Sequence, residues 1–205
     1  MSLVFYTSPM SSAVPVQWAL EELGVPYEKV VLDLQKQEQR KPEFLKLNPN
    51  GKVPLLVHDG VPIFESIAIL MHLGETYGVD KKLFPAPGLQ RAEAFKWLAW
   101  LNVSVGAAIS RFFHNTSERI PKEQHNDKAA EAAKAEAHAL LKILDGALEG
   151  KSYLVGDTFT LVDVQASSWC WYFTHFGFDL APYKSITAYT ARCMSRPKAK
   201  AALGV

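Results

Sequence analysis

Cysteine is nearly missing from this 205-residue chain: Cys170 and Cys193 are the two it has. Both fall in segments that read as helices and they form no metal-type cluster, so neither a disulfide framework nor a metal site is predicted. An excess of one charge is missing too. Lys and Arg number 22 against 21 Asp and Glu, a formal charge of +1. No basic run is long enough to offset that balance, which excludes a nucleic-acid surface. No apolar stretch approaches the roughly 20 residues of a membrane helix. Met1-Ser2 leads straight into Leu3-Val4-Phe5-Tyr6, too short an apolar core for a secretory leader. There is no repeat and no low-complexity tract. What is left is a soluble, cytoplasmic globular protein of ordinary composition, 48% apolar and 21% charged, long enough for one large domain or two small ones.

Against these absences one stretch stands out: Asn48-Pro49-Asn50-Gly51-Lys52-Val53-Pro54-Leu55-Leu56, followed by Phe64-Glu65-Ser66. Pro54 opens an apolar strand without being able to donate to its ladder. A cis bond at this X-Pro would present the Val53 backbone to a ligand instead of a strand. Glu65-Ser66 lies where a short strand gives way to a helix, where free N–H groups and the helix dipole favour an anion. Together they describe a receptor for an extended, peptide-like molecule: strand-style pairing at Val53, a carboxylate at Ser66, an ammonium group at Glu65. A hairpin turn and a capped helix explain either piece alone, and explain both at this spacing less well.

Residues 3–6 predict a buried strand. A loop over 7–10 leads to a helix from Ser11 to Leu23, capped by Ser11 or Ser12, with Pro15 in its first turn and Gly24 ending it. Residues 27–32 read as a second strand, giving a βαβ unit with parallel pairing. Residues 33–47 are polar and partly helical, with Phe44, Leu45 and Leu47 turned inward. Strands over 54–57 and 61–64 flank His58-Asp59-Gly60, an Asp-Gly hairpin signal. A helix over 66–77 completes an order that resembles the thioredoxin fold across residues 1–78. Residues 79–88, bounded by Gly78 and Gly88 and holding Pro85 and Pro87, read as an interdomain linker.

From 89 to 205 the pattern is helical. Ala133, Ala137, Leu140, Leu141, Leu144 and Leu148 share one face of a helix over 126–148. Thr160 and Asp163 form a capping box with Phe159 and Val164 as its hydrophobic staple, a structural device whose cap contributes about 1 kcal/mol. The expected fold is an α/β thioredoxin-like N-terminal domain followed by an all-α C-terminal domain.

With these residues in place, the chain resembles the cytosolic glutathione transferases over essentially its whole length. The resemblance rests on the Val53-Pro54 turn, Glu65-Ser66, the Leu83-Phe84-Pro85 linker and the Thr160-to-Asp163 box, in that order. It implies glutathione as co-substrate with no metal, an electrophile pocket between the domains, and a homodimer. It also implies that Val53 pairs with the cysteinyl part of glutathione, and that Glu65 and Ser66 hold its γ-glutamyl end. Lys52 stands where phi-like classes commonly have Gln, still within reach of glutathione. Gln39 and Arg40 align with contacts to the glycyl carboxylate, although a solvated charged segment through Lys41 is an equal reading.

Conjugation needs the glutathione thiolate, and a free thiol with pKa near 8.5 is only a few per cent ionised at neutral pH. Ser11 is the first choice for the hydroxyl that stabilises it, in the manner of serine-type members, with Ser12 and Tyr6 as alternatives. No cysteine occurs in residues 1–169, which excludes the mixed-disulfide chemistry of cysteine-type members at the first helix. Reductions by the bound thiolate itself stay open. Met10, Trp100, Phe112 and Phe113 are candidates for the electrophile pocket, with His114 at its rim, against the alternative that the aromatics simply pack. Trp169, Trp171, Tyr172 and Phe173 read as core. The expected activity is conjugation of glutathione to small apolar electrophiles in detoxification, with organic peroxides also open to reduction. The rivals are a glutathione-dependent isomerase, whose serine-serine-cysteine start is half present in Ser11-Ser12-Ala13, and a non-catalytic glutathione transferase-like binding module.

Overall fold

The computed structural model describes residues 2–203; Met1, Gly204 and Val205, which fall in the expected ranges 1–78 and 89–205, lie outside the described residues. In chain order the elements are β1 (Leu3–Thr7), α1 (Val14–Leu23), β2 (Glu28–Val31), α2 (Pro42–Leu45), β3 (Leu55–His58), β4 (Val61–Phe64) and α3 (Ser66–Leu73). They continue with α4 (Leu89–Trp100), α5 (Gly106–Thr116), α6 (Asp127–Leu148), α7 (Leu161–His175), α8 (Lys184–Met194) and α9 (Pro197–Leu203). The chain packs as two units, one running to Ala86 and including Ser195 onward, the other Pro87–Met194.

In the first unit the sheet order is β2-β1-β3-β4. β1 lies parallel to β2, as the α1 crossover requires, and antiparallel to β3, which is itself antiparallel to β4. Asp59 and Gly60 join β3 to β4 with φ of 47° and 84°, a two-residue turn that needs positive φ at both positions. β1 alternates buried Leu3, Phe5 and Thr7 with half-buried Val4 and Tyr6, so its two sets of side chains serve two faces. Phe5 and Leu56 are fully buried, as are Trp18 and Leu20 of α1 and Ile69 and Leu70 of α3. The second set forms a separate cluster of Phe44, Val53 and Leu55 with Tyr6, Leu32, Leu34, Leu47 and Val57 packed on it.

Two features of this unit differ from the sequence-based expectation. Helix α1 starts at Val14 behind Ala13 with no side-chain cap, so neither Ser11 nor Ser12 caps it; both hydroxyls are engaged elsewhere. Its C-terminus is as expected, with Gly24 at φ 58° donating to the Leu20 and Glu21 carbonyls. The segment after Met194, expected with the helical residues 89–205, packs instead on α1. Arg196 Nε and Nη2 each donate at 2.7 Å to one oxygen of Glu22, which also accepts from Trp18 Nε1 at 3.0 Å. Burial alone would raise the Glu22 carboxyl, but the Arg196 and Trp18 hydrogen bonds outweigh it and hold the group below its ordinary value.

Residues 79–86 are anchored rather than loose. Phe84 is buried, and it lies over the π turn Gly74–Gly78 that continues α3. A Cβ on Gly74 would stand 2.6 Å from the Phe84 ring, and one on Gly78 would stand 2.8 Å from the Phe84 Cβ.

In the second unit α4 runs into α5 through a π turn, Leu101–Val105. Asn126 caps α6, its side chain accepting from Ala129 N at 3.0 Å. Ala133, Ala137, Leu141, Leu144 and Leu148 of α6 are buried and Leu140 is half-buried. α7 is buried on every side from Leu161 to Ser168, and its start carries the complete capping box. Cys170 and Cys193 are free, and burial pushes both thiols up to about 12. Among the described residues no helix is long and apolar enough to cross a membrane.

Candidate functional site

The turn that delivers the chain to β3 is built around Asn48, which is only 2% exposed. Its Nδ2 donates to the Lys52 carbonyl at 2.7 Å, and its Oδ1 accepts from Asn50 N at 3.1 Å. Gly51 N returns to the Asn48 carbonyl at 2.9 Å with Gly51 at φ 60°. A side chain at Gly51 would meet Arg40 Nη1 at 2.8 Å and the Gln39 carbonyl at 3.1 Å. Gln39 and Arg40 are therefore brought against this turn from the 3-10 segment Glu38–Arg40, and Arg40 Nη1 donates to Asn50 O at 3.4 Å. Gln39 Oε1 is buried, with no hydrogen-bond partner among the described residues. The Lys52 side chain is exposed.

The Val53–Pro54 bond is cis. Val53 is buried but precedes the ladder, and its N–H has no partner among the described residues. Its carbonyl accepts one hydrogen bond, from Ser12 Oγ at 3.2 Å. An open N–H beside a carbonyl with a lone pair to spare is what a single extended peptide unit needs for two-point pairing.

The three hydroxyls go to three places. Ser11, half-buried in the turn between β1 and α1, donates from Oγ to the Ser8 carbonyl at 2.6 Å and accepts from Ala13 N at 3.3 Å. Ser12 reaches Val53. Tyr6 packs edge-on against Phe44, ring centroids 5.6 Å apart, and lines a cavity of about 430 Å³ with Val30, Val31, Leu32, Phe44 and Leu47. Tyr6 thus packs on the cluster that Phe44 forms with Val53 and Leu55.

Where β4 ends, Glu65 adopts φ 70° and ψ 119° and does not cap α3. Its exposed side chain has no hydrogen bond or ion pair among the described residues. Ser66 follows as the first residue of α3 and is 5% exposed. Met10, in the loop before Ser11, is also left-handed, at φ 54°. Such backbone costs a non-glycine residue roughly 1–2 kcal/mol, and two of these residues stand beside the candidate ligand groups, where strain is commonly stored. Val53, a free carboxylate at Glu65 and a helix opening at Ser66 can take a peptide unit, an ammonium group and a carboxylate respectively. Among the described residues no three His, Cys, Asp or Glu converge as metal ligands.

The aromatic candidates in the second unit divide. Phe112 packs on Phe178 at 4.9 Å and Phe113 on Phe176 at 5.3 Å, both against the chain leaving α7. Trp100 instead lies edge-on to Trp97 at 5.4 Å. Tyr172 and Phe173 are buried, while Trp169 and Trp171 are half-buried. Asn48 is the structural residue that reading the sequence missed. Its signal was the Asn-Pro-Asn-Gly turn itself, in which a buried asparagine can close the loop through its amide.

Residues 1–75 match the family described as Glutathione S-transferase, N-terminal domain, and residues 95–197 match Glutathione S-transferase, C-terminal domain. Disulfide-bond oxidoreductase YfcG of Escherichia coli (strain K12) is 30% identical over 208 residues, 97% of this chain and 93% of that protein. Glutathione S-transferase GstB of the same strain is 31% identical over 180 residues, 87% of this chain and 86% of its own length. Among solved structures, the glutathione transferase URE2P8 from Phanerochaete chrysosporium, determined with oxidized glutathione, has a TM-score of 0.90 at 28% identity. That match covers 99% of this chain and 94% of the other. Both halves of the family pattern occur in order, the first on the sheet with its Val53 and Ser66 positions and the second on the helices, so the chain belongs to the glutathione S-transferase family.

Proposed function

We propose that this protein is a glutathione transferase that joins the glutathione thiolate to small apolar electrophiles. The observation that carries this reading is the Val53 peptide group: an unpaired N–H and a singly bonded carbonyl, in one unit with the free Glu65 carboxylate and the start of α3. The cysteinyl unit pairs with Val53. The γ-glutamyl ammonium group goes to Glu65, and its carboxylate to the Ser66 N–H and hydroxyl. Gln39, Arg40 and Lys52 serve the glycyl end.

Ser11 activates the thiol. Its proton, directed in this structure to the Ser8 carbonyl at 2.6 Å, turns to the sulfur as the thiol proton leaves to solvent. The hydroxyl thereby exchanges a neutral acceptor for an anionic one, which makes the stronger hydrogen bond. The thiolate then forms the bond to an electrophilic carbon. Residues 1–78 supply the glutathione contacts. The same reading includes a cytoplasmic homodimer.

The test is the ultraviolet thiolate band of bound glutathione against pH. Ser11→Ala is expected to raise the bound-thiol pKa by about 1–2 units, each unit being about 1.4 kcal/mol. An unchanged, depressed pKa in that variant refutes the role of Ser11. A bound glutathione with no thiolate band at all points to a binding module instead of an enzyme.

A second reading is favoured by the 30% identity to Disulfide-bond oxidoreductase YfcG. Glutathione thiolate attacks a mixed disulfide, forming glutathione disulfide and releasing the other thiolate, so electrons and sulfurs balance. Residues 1–169 hold no cysteine, and both sulfur nucleophile and electrons come from glutathione. Parallel turnover of 1-chloro-2,4-dinitrobenzene and 2-hydroxyethyl disulfide separates the two readings.

A further inference from the structure

The serine next to the proposed thiolate donor points away from it. Ser12 Oγ spans 41 positions of sequence to the Val53 carbonyl at 3.2 Å, while Asn48 Nδ2 holds the preceding carbonyl, that of Lys52, at 2.7 Å. Two consecutive carbonyls at the entrance to β3 are thus fastened by side chains from different segments. The Lys52–Val53 stretch has no ladder partner to orient it, so these two bonds set the direction of the Val53 peptide groups.

We propose that Ser12 is a positioning residue: it fixes the Val53 backbone against the start of α1, so that glutathione pairs with a peptide unit already oriented. The inference rests on the reading of Val53 as the cysteinyl partner. A hydroxyl has one proton to give and a carbonyl has two lone pairs. While Ser12 donates to Val53 it does not serve the sulfur, and the Val53 oxygen keeps a second lone pair for the ligand. Orienting the site before binding saves the entropy that binding would otherwise cost.

The experiment measures glutathione and S-methylglutathione affinity by calorimetry for wild type, Ser12→Ala and Ser12→Thr, with the bound-thiol titration and kcat at saturating glutathione. Ser12→Ala is expected to weaken both ligands by the same factor, about five- to tenfold, because the loss lies in backbone pairing and not at sulfur. The bound-thiol pKa and kcat stay at wild-type values, and Ser12→Thr, which keeps the hydroxyl, restores affinity. A raised thiol pKa in Ser12→Ala would make Ser12 the sulfur's donor and overturn the proposal. So would unchanged affinity, or equal weakening in Ser12→Thr. If wild type binds neither ligand, the parent reading falls and takes this one with it, an outcome the wild-type titration alone identifies.

Discussion

Replacing Asp163 with alanine strands several buried donors at once in the helical unit. The carboxylate is fully buried. One oxygen accepts from Leu154 N at 2.9 Å and Tyr189 Oη at 2.8 Å, the other from Thr160 N at 2.8 Å and Thr160 Oγ1 at 3.1 Å. Burial pushes the carboxyl up, and the hydrogen bonds from Leu154, Thr160 and Tyr189 pull it down without fully offsetting that. In the alanine variant Tyr189 still has the Asp163 backbone carbonyl, 3.5 Å away, but the Leu154 and Thr160 N–H groups have no replacement acceptor. Each stranded buried donor costs about 1–3 kcal/mol, and the lost half of the capping box adds to it. The expected loss is roughly 3–5 kcal/mol, a large share of the 5–15 kcal/mol typical of a folded domain. Asp163→Asn keeps one acceptor oxygen and should cost about half as much, and Thr160→Ala about 1 kcal/mol. Urea unfolding followed by tryptophan fluorescence reads this unit well, because Trp97, Trp100, Trp169 and Trp171 all lie in it. At roughly 2 kcal/mol per molar urea, Asp163→Ala lowers the midpoint by about 2 M. A loss no larger than that of Thr160→Ala would refute the stranded-donor reasoning.

Gly74→Ala places a Cβ 2.6 Å from the Phe84 ring; the expected cost is about 1–3 kcal/mol, seen as a lower Tm. Phe84→Ala removes the obstacle, so the double variant should be less destabilised than the two losses summed, and strict additivity would sink the packing argument. Glu22 has a folded-state pKa below its unfolded value. Its contribution is therefore complete above about pH 4.5 and is lost as pH falls through the folded value. Arg196→Met should flatten this acid limb in a series of melting curves from about pH 3 to 7 and cost about 1.5–3 kcal/mol at neutral pH; an unaltered limb would count against the pair.

Signals local in sequence were the readable ones. Asp59-Gly60 demands positive φ, Gly24 ends a helix, and Thr160 with Asp163 meets within one turn, so each carries its structure in adjacent residues. The apolar face of α6 was readable for the same reason. Events that depend on distant partners were not. Ser11 looks like a helix cap until the Ser8 carbonyl takes its proton, and Ser12 is committed by a carbonyl 41 positions away. The π turns at Gly74–Gly78 and Leu101–Val105 shift helical phase by one residue, too little to show in an apolar pattern. Phe84 read as part of a linker because the two glycines that receive its ring lie in the preceding helical turn. For the candidate site the residue types were visible. Which hydroxyl faces which acceptor was not.

The unit that carries Val53 and Ser66 is discontinuous, made of residues up to Ala86 and again from Ser195. All four strands of its sheet lie within residues 3–64, but the packing of α9 on α1 waits until residues 195–203 have been made. Throughout that interval the Glu22 carboxylate, later enclosed between α1 and α9, waits without Arg196. Pro87–Met194, by contrast, is contiguous in sequence. Of the two units, the one whose strands are synthesised first is thus the last to be finished, and until Arg196 is made Glu22 has Trp18 Nε1 as its donor.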